Sequence, residues 1–242
     1  MEKYLVIIPT YNEIENVEKM IRKVFTLPTP FDLLIIEDNS PDGTAKVVKK
    51  MQKEYPEKLH IIERKGKLGL GTAYLTGFRW AIENKYDFIC EMDCDFSHNP
   101  DDLERLLEAG KKGADVAIGS RYISGINVVN WPLGRVLMSY FASKYVNIIT
   151  GMGVKDTTAG FKCFRREVLE TINLDEVQMK GYGFQVEMKF TAYKFGFNIV
   201  EVPIVFTDRQ EGTSKMSGGI FSEALWGVLK MKMKSWSRNY KR

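Results

Sequence analysis

The chain has 242 residues, 44% of them apolar, enough for one large soluble domain or a domain with an appendage. A net charge of +4 makes no case for nucleic acid as a partner. No apolar run reaches the roughly 20 residues that span a bilayer. Leu5-Val6-Ile7-Ile8 reads as a strand stopped by Pro9-Thr10. From Glu13 to Phe25 the apolar residues Ile14, Val17, Ile21 and Val24 recur at helical spacing. Leu33 to Ile36 is the next buried strand, and Ser40-Pro41-Asp42-Gly43 is a turn opening a helix through Val47, Val48 and Met51. A strand at Leu59 to Ile62 precedes a helix at Gly69 to Asn84. Tyr86 to Met92 is an apolar strand, Asp101 to Ala109 a helix and Val116 to Gly119 a strand. This alternation predicts an α/β fold, a mainly parallel sheet flanked by helices with right-handed crossovers. Beyond Trp131 the rhythm gives way to longer apolar-rich segments, expected to decorate the sheet.

Cys90, Cys94 and Cys163 cannot all pair with one another and lack zinc-ligand spacing, so reduced thiols in a cytoplasmic compartment are expected. The amino terminus enters a strand within a few residues, and no secretory leader is read there. Most informative is Asp93-Cys94-Asp95 at the end of the Tyr86 to Met92 strand. Ligands of open parallel sheets bind at such strand ends. Two carboxylates there suit a hard cation, Mg²⁺ or Mn²⁺, bridging to the phosphates of a nucleotide diphosphate. A solvated turn opening the next helix is the plainer alternative, since Asn99-Pro100-Asp101-Asp102 is a good helix start. A nicotinamide dehydrogenase is disfavoured, because the first strand runs into Pro9-Thr10-Tyr11-Asn12-Glu13 and not a glycine-rich turn.

Several marks occur in order: Pro9-Thr10-Tyr11-Asn12-Glu13, Glu37 to Thr44, Asp93 to Pro100 and Gly119-Ser120-Arg121-Tyr122. Asn130-Trp131, Arg135, Ser139, Asp156 to Lys162, Lys180 to Glu187 and Arg209 to Lys215 follow. Together they resemble the inverting family-2 glycosyltransferases of the GT-A, Rossmann-like type, and within these the polyprenol-phosphate (dolichol-phosphate) mannosyltransferases. The likeness spans roughly residues 3 to 216.

The resemblance implies a catalytic domain over 1–215 that transfers mannose from GDP-mannose to a polyprenyl phosphate with inversion. It implies that Pro9, Tyr11, Glu13, Ile36, Asp38, Cys94, Lys180 and Lys215 serve the nucleotide sugar. Asp93 and Asp95 would hold the divalent cation and with it the nucleotide sugar, and Asp95, Arg121, Arg135 and Ser139 would be catalytic. Arg121 and Arg209 would touch both donor and acceptor, and Arg121, Arg135, Ser139 and Arg209 would bind the acceptor phosphate. Arginine forks suit phosphate oxygens, and Arg135 and Ser139 share a helix face if Leu133 onward is helical. Arg135 could instead snorkel from an apolar helix. His98 is read as a hydrogen-bonded turn residue, and Asp42 as a possible helix cap. Glu187 lies near where other family members place an acid.

The segment 216–242 carries no acid after Glu223 and ends in Lys230, Lys232, Lys234, Arg238, Lys241 and Arg242. With its apolar residues it suggests an amphipathic interfacial helix at the cytoplasmic face of a membrane, or one packed on the domain or on a small membrane partner subunit. A UDP-sugar donor such as UDP-glucose, or a non-catalytic nucleotide- or lipid-binding regulatory subunit, are the competing readings.

Overall fold

A computed structural model describes residues 2–179, 181–208 and 220–241. The sequence elements appear in the expected order: β1 (Tyr4–Thr10), α1 (Val17–Phe25), β2 (Asp32–Glu37), α2 (Thr44–Met51), β3 (Leu59–Glu63), α3 (Leu70–Glu83), β4 (Phe88–Glu91), α4 (Asp102–Lys111) and β5 (Val116–Ser120). The second half adds β6 (Val128–Val129), α5 (Leu133–Thr150), β7 (Lys162–Arg165), α6 (Arg166–Thr171), α7 (Gly181–Lys194), β8 (Ile199–Pro203), β9 (Phe206–Thr207) and α8 (Ile220–Lys234).

The main sheet has the order β3-β2-β1-β4-β7-β5-β8. It is parallel except for β7, which runs antiparallel to both β4 and β5. Alternation along each strand feeds two cores. Leu5, Ile7, Leu34 and Ile36 face α3, α6 and α7, while Val6, Ile8, Leu33 and Ile35 face α1, α2 and α4. Helix α3 lies so close to β1 that a Cβ on Gly77 would come within 2.8 Å of Ile7, which explains a glycine in mid-helix.

Two elements depart from the sequence expectation. Helix α1 begins at Val17 rather than Glu13, because residues 12–16 form a turn fixed from the neighbouring loop. Ser40 Oγ accepts from the Asn12 N–H at 3.0 Å, Thr44 Oγ1 from that of Glu13 at 3.1 Å and Asp42 from that of Ile14 at 3.1 Å. Asn12 is left-handed at φ 53°, and Ile14, expected on the buried helix face, is exposed. Asp42 also accepts from the Thr44 N–H and hydroxyl, so it staples the turn. The second departure is β7, a strand the β-α rhythm did not announce.

Helix α8 packs against α7 and α5. Val228 and Met231 enter the same core as Val146 of α5 and Phe190 of α7. Met231→Ala should therefore destabilise the protein by about 2 kcal/mol, the low end for a buried methionine. Chemical denaturation reads this, and a change below about 0.5 kcal/mol would mean that α8 adds nothing to the fold.

Candidate active site

Chain order reverses beside β1, with β2 and β3 on one side and β4 on the other, and the crevice outside these carboxyl ends is where open α/β sheets bind ligands. Asp93 and Asp95 leave β4 at this point. Asp95 is buried, and its Oδ1 accepts from the Ser97 N–H at 3.1 Å and the Ser97 hydroxyl at 2.6 Å. Phe96 between them sits at φ 59°, a left-handed conformation costly for a bulky side chain, which folds Ser97 back onto Asp95. The Asp93 side chain is 40% exposed, open to the crevice. Its backbone N–H donates to His98 Nδ1 at 3.2 Å. His98 is buried, stacked on Phe161 at 4.9 Å and edge-on to Phe206 at 5.3 Å. Burial pushes its imidazole down to about 4, so it stays neutral and acts as the turn residue expected of it.

On the side expected to take the nucleotide, Pro9 near the end of β1 pairs with Ile36 of β2, and Tyr11 just past the strand has the Lys67 ammonium 5.2 Å from its ring centre. Glu13 accepts from the Asn16 side-chain amide at 3.1 Å. Asp38, at the end of β2, is gripped by a guanidinium fork: Arg64 Nε at 2.6 Å and Nη2 at 2.7 Å. Arg64 also donates to Thr72 Oγ1 at 2.7 Å, tying the fork to α3. Ile36 and Cys94 turn their side chains into the two cores, where they are 0% and 3% exposed. Lys180, Arg209 and Lys215 lie outside the described residues.

Arg121, at the end of β5, is buried with its guanidinium against Asp156. Nε and Nη2 donate to the two carboxylate oxygens at 2.7 and 2.6 Å, and Nη2 also reaches Thr158 Oγ1 at 2.8 Å. Three aromatic rings, Tyr122, Trp131 and Phe206, lie 5.3–5.7 Å from the guanidinium carbon. Arg135, in the first turn of α5, stacks on Trp131 at 4.1 Å and donates to Asp208 at 2.9 Å. Ser139, one turn on, adjoins the Tyr122 hydroxyl. The structure thus gathers Arg121, Arg135 and Ser139, far apart in sequence, around one aromatic box. Trp131 Nε1 is buried in that box without a hydrogen-bond partner among the described residues.

Beneath Asp93 lies a buried polar network. Glu91, Lys162 and Gln185 are buried, with Lys162 Nζ 3.0 Å from Glu91 and the Gln185 amide donating to Glu91 at 3.0 Å. Lys162 also donates to Gln185 Oε1. Burial pushes Glu91 up and Lys162 down, each towards neutrality, against their mutual attraction. Lys189, also buried, donates to the Ala159 carbonyl at 2.7 Å. Glu187 accepts from the backbone N–H groups of Gln178 and Met179 at 3.0 and 2.7 Å, a structural use for an acid near the family's usual position.

Sequence reading did not single out Arg64, Asp208 or the Phe206 ring, and quoted Trp131 and Asp156 without a role. Each acts through a partner distant in the chain, which local pattern does not encode.

A mainly parallel sheet with a carboxylate pair at its switch point and a lined crevice beside it defines a GT-A glycosyltransferase. The model for Glycosyl transferase family 2 matches residues 5–172, and the chain belongs to that family. The polyprenol monophosphomannose synthase of Mycolicibacterium smegmatis is 45% identical over 232 residues, covering 94% of this chain and 88% of that protein. The undecaprenyl-phosphate mannosyltransferase of Micrococcus luteus is 45% identical over 231 residues, covering 93% and 94%. Glucosyl-3-phosphoglycerate synthase from Mycobacterium tuberculosis, solved with Mn²⁺, UDP and glucosyl-3-phosphoglycerate, superposes with a TM-score of 0.70 at 14% identity over 98% of this chain and 81% of that one. At that identity the likeness is one of fold.

Proposed function

We propose that this enzyme transfers mannose from GDP-mannose to a polyprenyl phosphate, inverting the anomeric carbon, while peripheral to the cytoplasmic face of a membrane. One observation carries the reading: the turn that holds the carboxylate pair and the arginine–serine cluster adjoin through His98, Phe206 and Trp131, in a chain 45% identical to two transferases named for this class of acceptor.

The carboxylate pair fits a hard cation. A hard cation takes oxygen ligands from one or two carboxylates and from substrate phosphates. Asp93 and Asp95 would hold Mg²⁺ or Mn²⁺, which when bound offsets the charge of the departing diphosphate. Pro9, Tyr11, Glu13 and Asp38 line the side assigned to the nucleotide, with Asp38 fixed by Arg64. Lys180, Arg209 and Lys215 are assigned to the donor, and Arg209 also to the acceptor, by family likeness alone. Arg121, Arg135 and Ser139 would orient the acceptor phosphate. A phosphate monoester is already largely ionised near neutral pH, so its oxygen attacks the anomeric carbon without a general base. The new carbon–oxygen bond forms as the bond to the diphosphate breaks on the opposite face, and GDP leaves with the electron pair.

Incubation with labelled GDP-mannose or UDP-glucose, polyprenyl phosphate, and Mn²⁺ or chelator tests the reading. Cation-dependent mannolipid is the expected product. Glucolipid alone would reassign the donor, and binding without turnover of either would leave a regulatory subunit.

Arg135→Ala should raise the KM for acceptor by about 10- to 100-fold, since charge-assisted bonds contribute roughly 1.5–3 kcal/mol. Calorimetry should find GDP-mannose affinity unchanged. Equal loss of donor affinity would place α5 on the donor side.

A further inference from the structure

Trp131 is held in place by the backbone on both sides. Asn130 before it is left-handed at φ 63°. Pro132 after it, at φ −57°, opens α5, its carbonyl accepting from the N–H groups of Arg135 at 2.9 Å and Val136 at 3.2 Å. A proline also restricts the residue before it, so this corner is stiff. Pairing of β6 with β9 sets Val128 opposite Phe206 and Val129 opposite Thr207. The Asp208 N–H then donates to the Val129 carbonyl at 3.0 Å, and the Phe206 ring stands 5.2 Å from the indole at 69°.

Two guanidiniums flank the indole, that of Arg135 4.1 Å and that of Arg121 5.4 Å from the ring centre. Each already has a carboxylate, Asp208 for Arg135 and Asp156 for Arg121. The indole nitrogen differs from them. It can only donate, it is buried, and no described residue accepts from it. Folded proteins seldom leave a buried donor unmatched, and one left so at a ligand crevice calls for an acceptor from outside.

We propose that Trp131 is a specificity-determining residue for the acceptor, its indole N–H donating to a non-bridging oxygen of the acceptor phosphate. The inference rests on reading the acceptor as a polyprenyl phosphate.

Charge selects this partner. An oxygen held by Nε1 lies beside a ring flanked by two cations, where the positive potential favours an anion over an alcohol. The indole also adds a directed bond without adding charge. A third cation would draw electron density from the phosphate oxygen that has to attack the anomeric carbon. A neutral donor orients the group and leaves more of that density in place. The ring face meanwhile keeps Arg135 stacked at the crevice.

The test begins with nuclear magnetic resonance of the full chain carrying nitrogen-15 in its four tryptophans. The Trp131 indole signal is the one missing from Trp131→Phe. With no donor present, geranyl phosphate should move that signal downfield and slow its exchange with solvent. Geraniol and GDP-mannose should not. In transfer assays on geranyl phosphate, Trp131→Phe keeps an aromatic face and removes the donor. It should raise the KM for acceptor by about 10- to 100-fold and leave the KM for GDP-mannose unchanged. Should Trp131→Phe not fold, a benzothiophene isostere of tryptophan at position 131 keeps the shape, lacks the N–H and should show the same loss. An unmoved signal, or a wild-type KM in the isostere, overturns the inference. So does an equal response to inorganic phosphate at the same concentration, which would make the N–H a general anion contact, or a response to GDP-mannose alone, which would place it on the donor side. If the signal follows geranyl phosphate but the wild type transfers no mannose, only the functional reading falls.

Discussion

Asp93→Asn and Asp95→Asn should each lower mannosyl transfer by at least about 10²-fold, as removal of one transition-state electrostatic contact does. The amide keeps the shape of the carboxylate and removes the charge that balances a cation. Asp95→Asn should be the more damaging. Ser97 already holds one of its oxygens in place, so the substitution spoils both the charge and a preset geometry. Asp93 is more exposed and can be replaced in part by water. Far-ultraviolet circular dichroism should be unchanged in both. Near-normal turnover in both variants, with the cation still required, would remove the pair from the metal site.

Lys162→Met should cost about 3–5 kcal/mol of stability, the usual penalty for stranding a buried charge. It removes the cation facing Glu91 at 3.0 Å in a region where both side chains are 0% exposed. Among the described side chains, Gln185 would then remain to donate to the Glu91 carboxylate. Replacing both partners, as Glu91→Leu with Lys162→Met, should restore most of the loss, because apolar pairs of similar volume often substitute for buried ion pairs without penalty. Equilibrium urea unfolding measures both. A double variant as unstable as the single one would mean that the network contributes through shape and not through charge balance.

The strands were legible where both faces are covered, because Leu5 to Ile8 and Leu33 to Ile36 are unbroken apolar runs that only a buried parallel sheet accommodates. The carboxylate pair was legible because it follows such a run immediately. The start of α1 was not. Ile14 fits the helical spacing, yet Ser40, Asp42 and Thr44 take the backbone N–H groups that precede the helix, and no local pattern records a bond across so many residues. Strand β7 was hidden for a similar reason. It opens with Lys162, whose charge is tolerated only because Glu91 sits opposite in the antiparallel register. On α5 the positions of Arg135 and Ser139 were readable as one helix face, but exposure was not. Leu133, Leu137, Phe141 and Ile148 have the composition of a core stripe, and only the packed structure reveals which side of the helix lacks a neighbour.

The antiparallel strand also governs how this protein can be made. Synthesis proceeds from the amino terminus, so β4 and β5 leave the ribosome long before β7 arrives to separate and join them. Until then the nascent chain carries β4 paired on one side with β1 and bare on the other, and β5 still lacks both β7 and β8. Open strand edges recruit other chains. A fragment ending at Phe161 would hold both strand-end carboxylates, Asp93 and Asp95, yet it would leave β4 with one bare edge and β5 with two in place of a continuous sheet. The catalytic half is therefore not a detachable module: a minimal enzyme cut from this chain has to run past Pro203, so that the interior strand and its last neighbour are both in place.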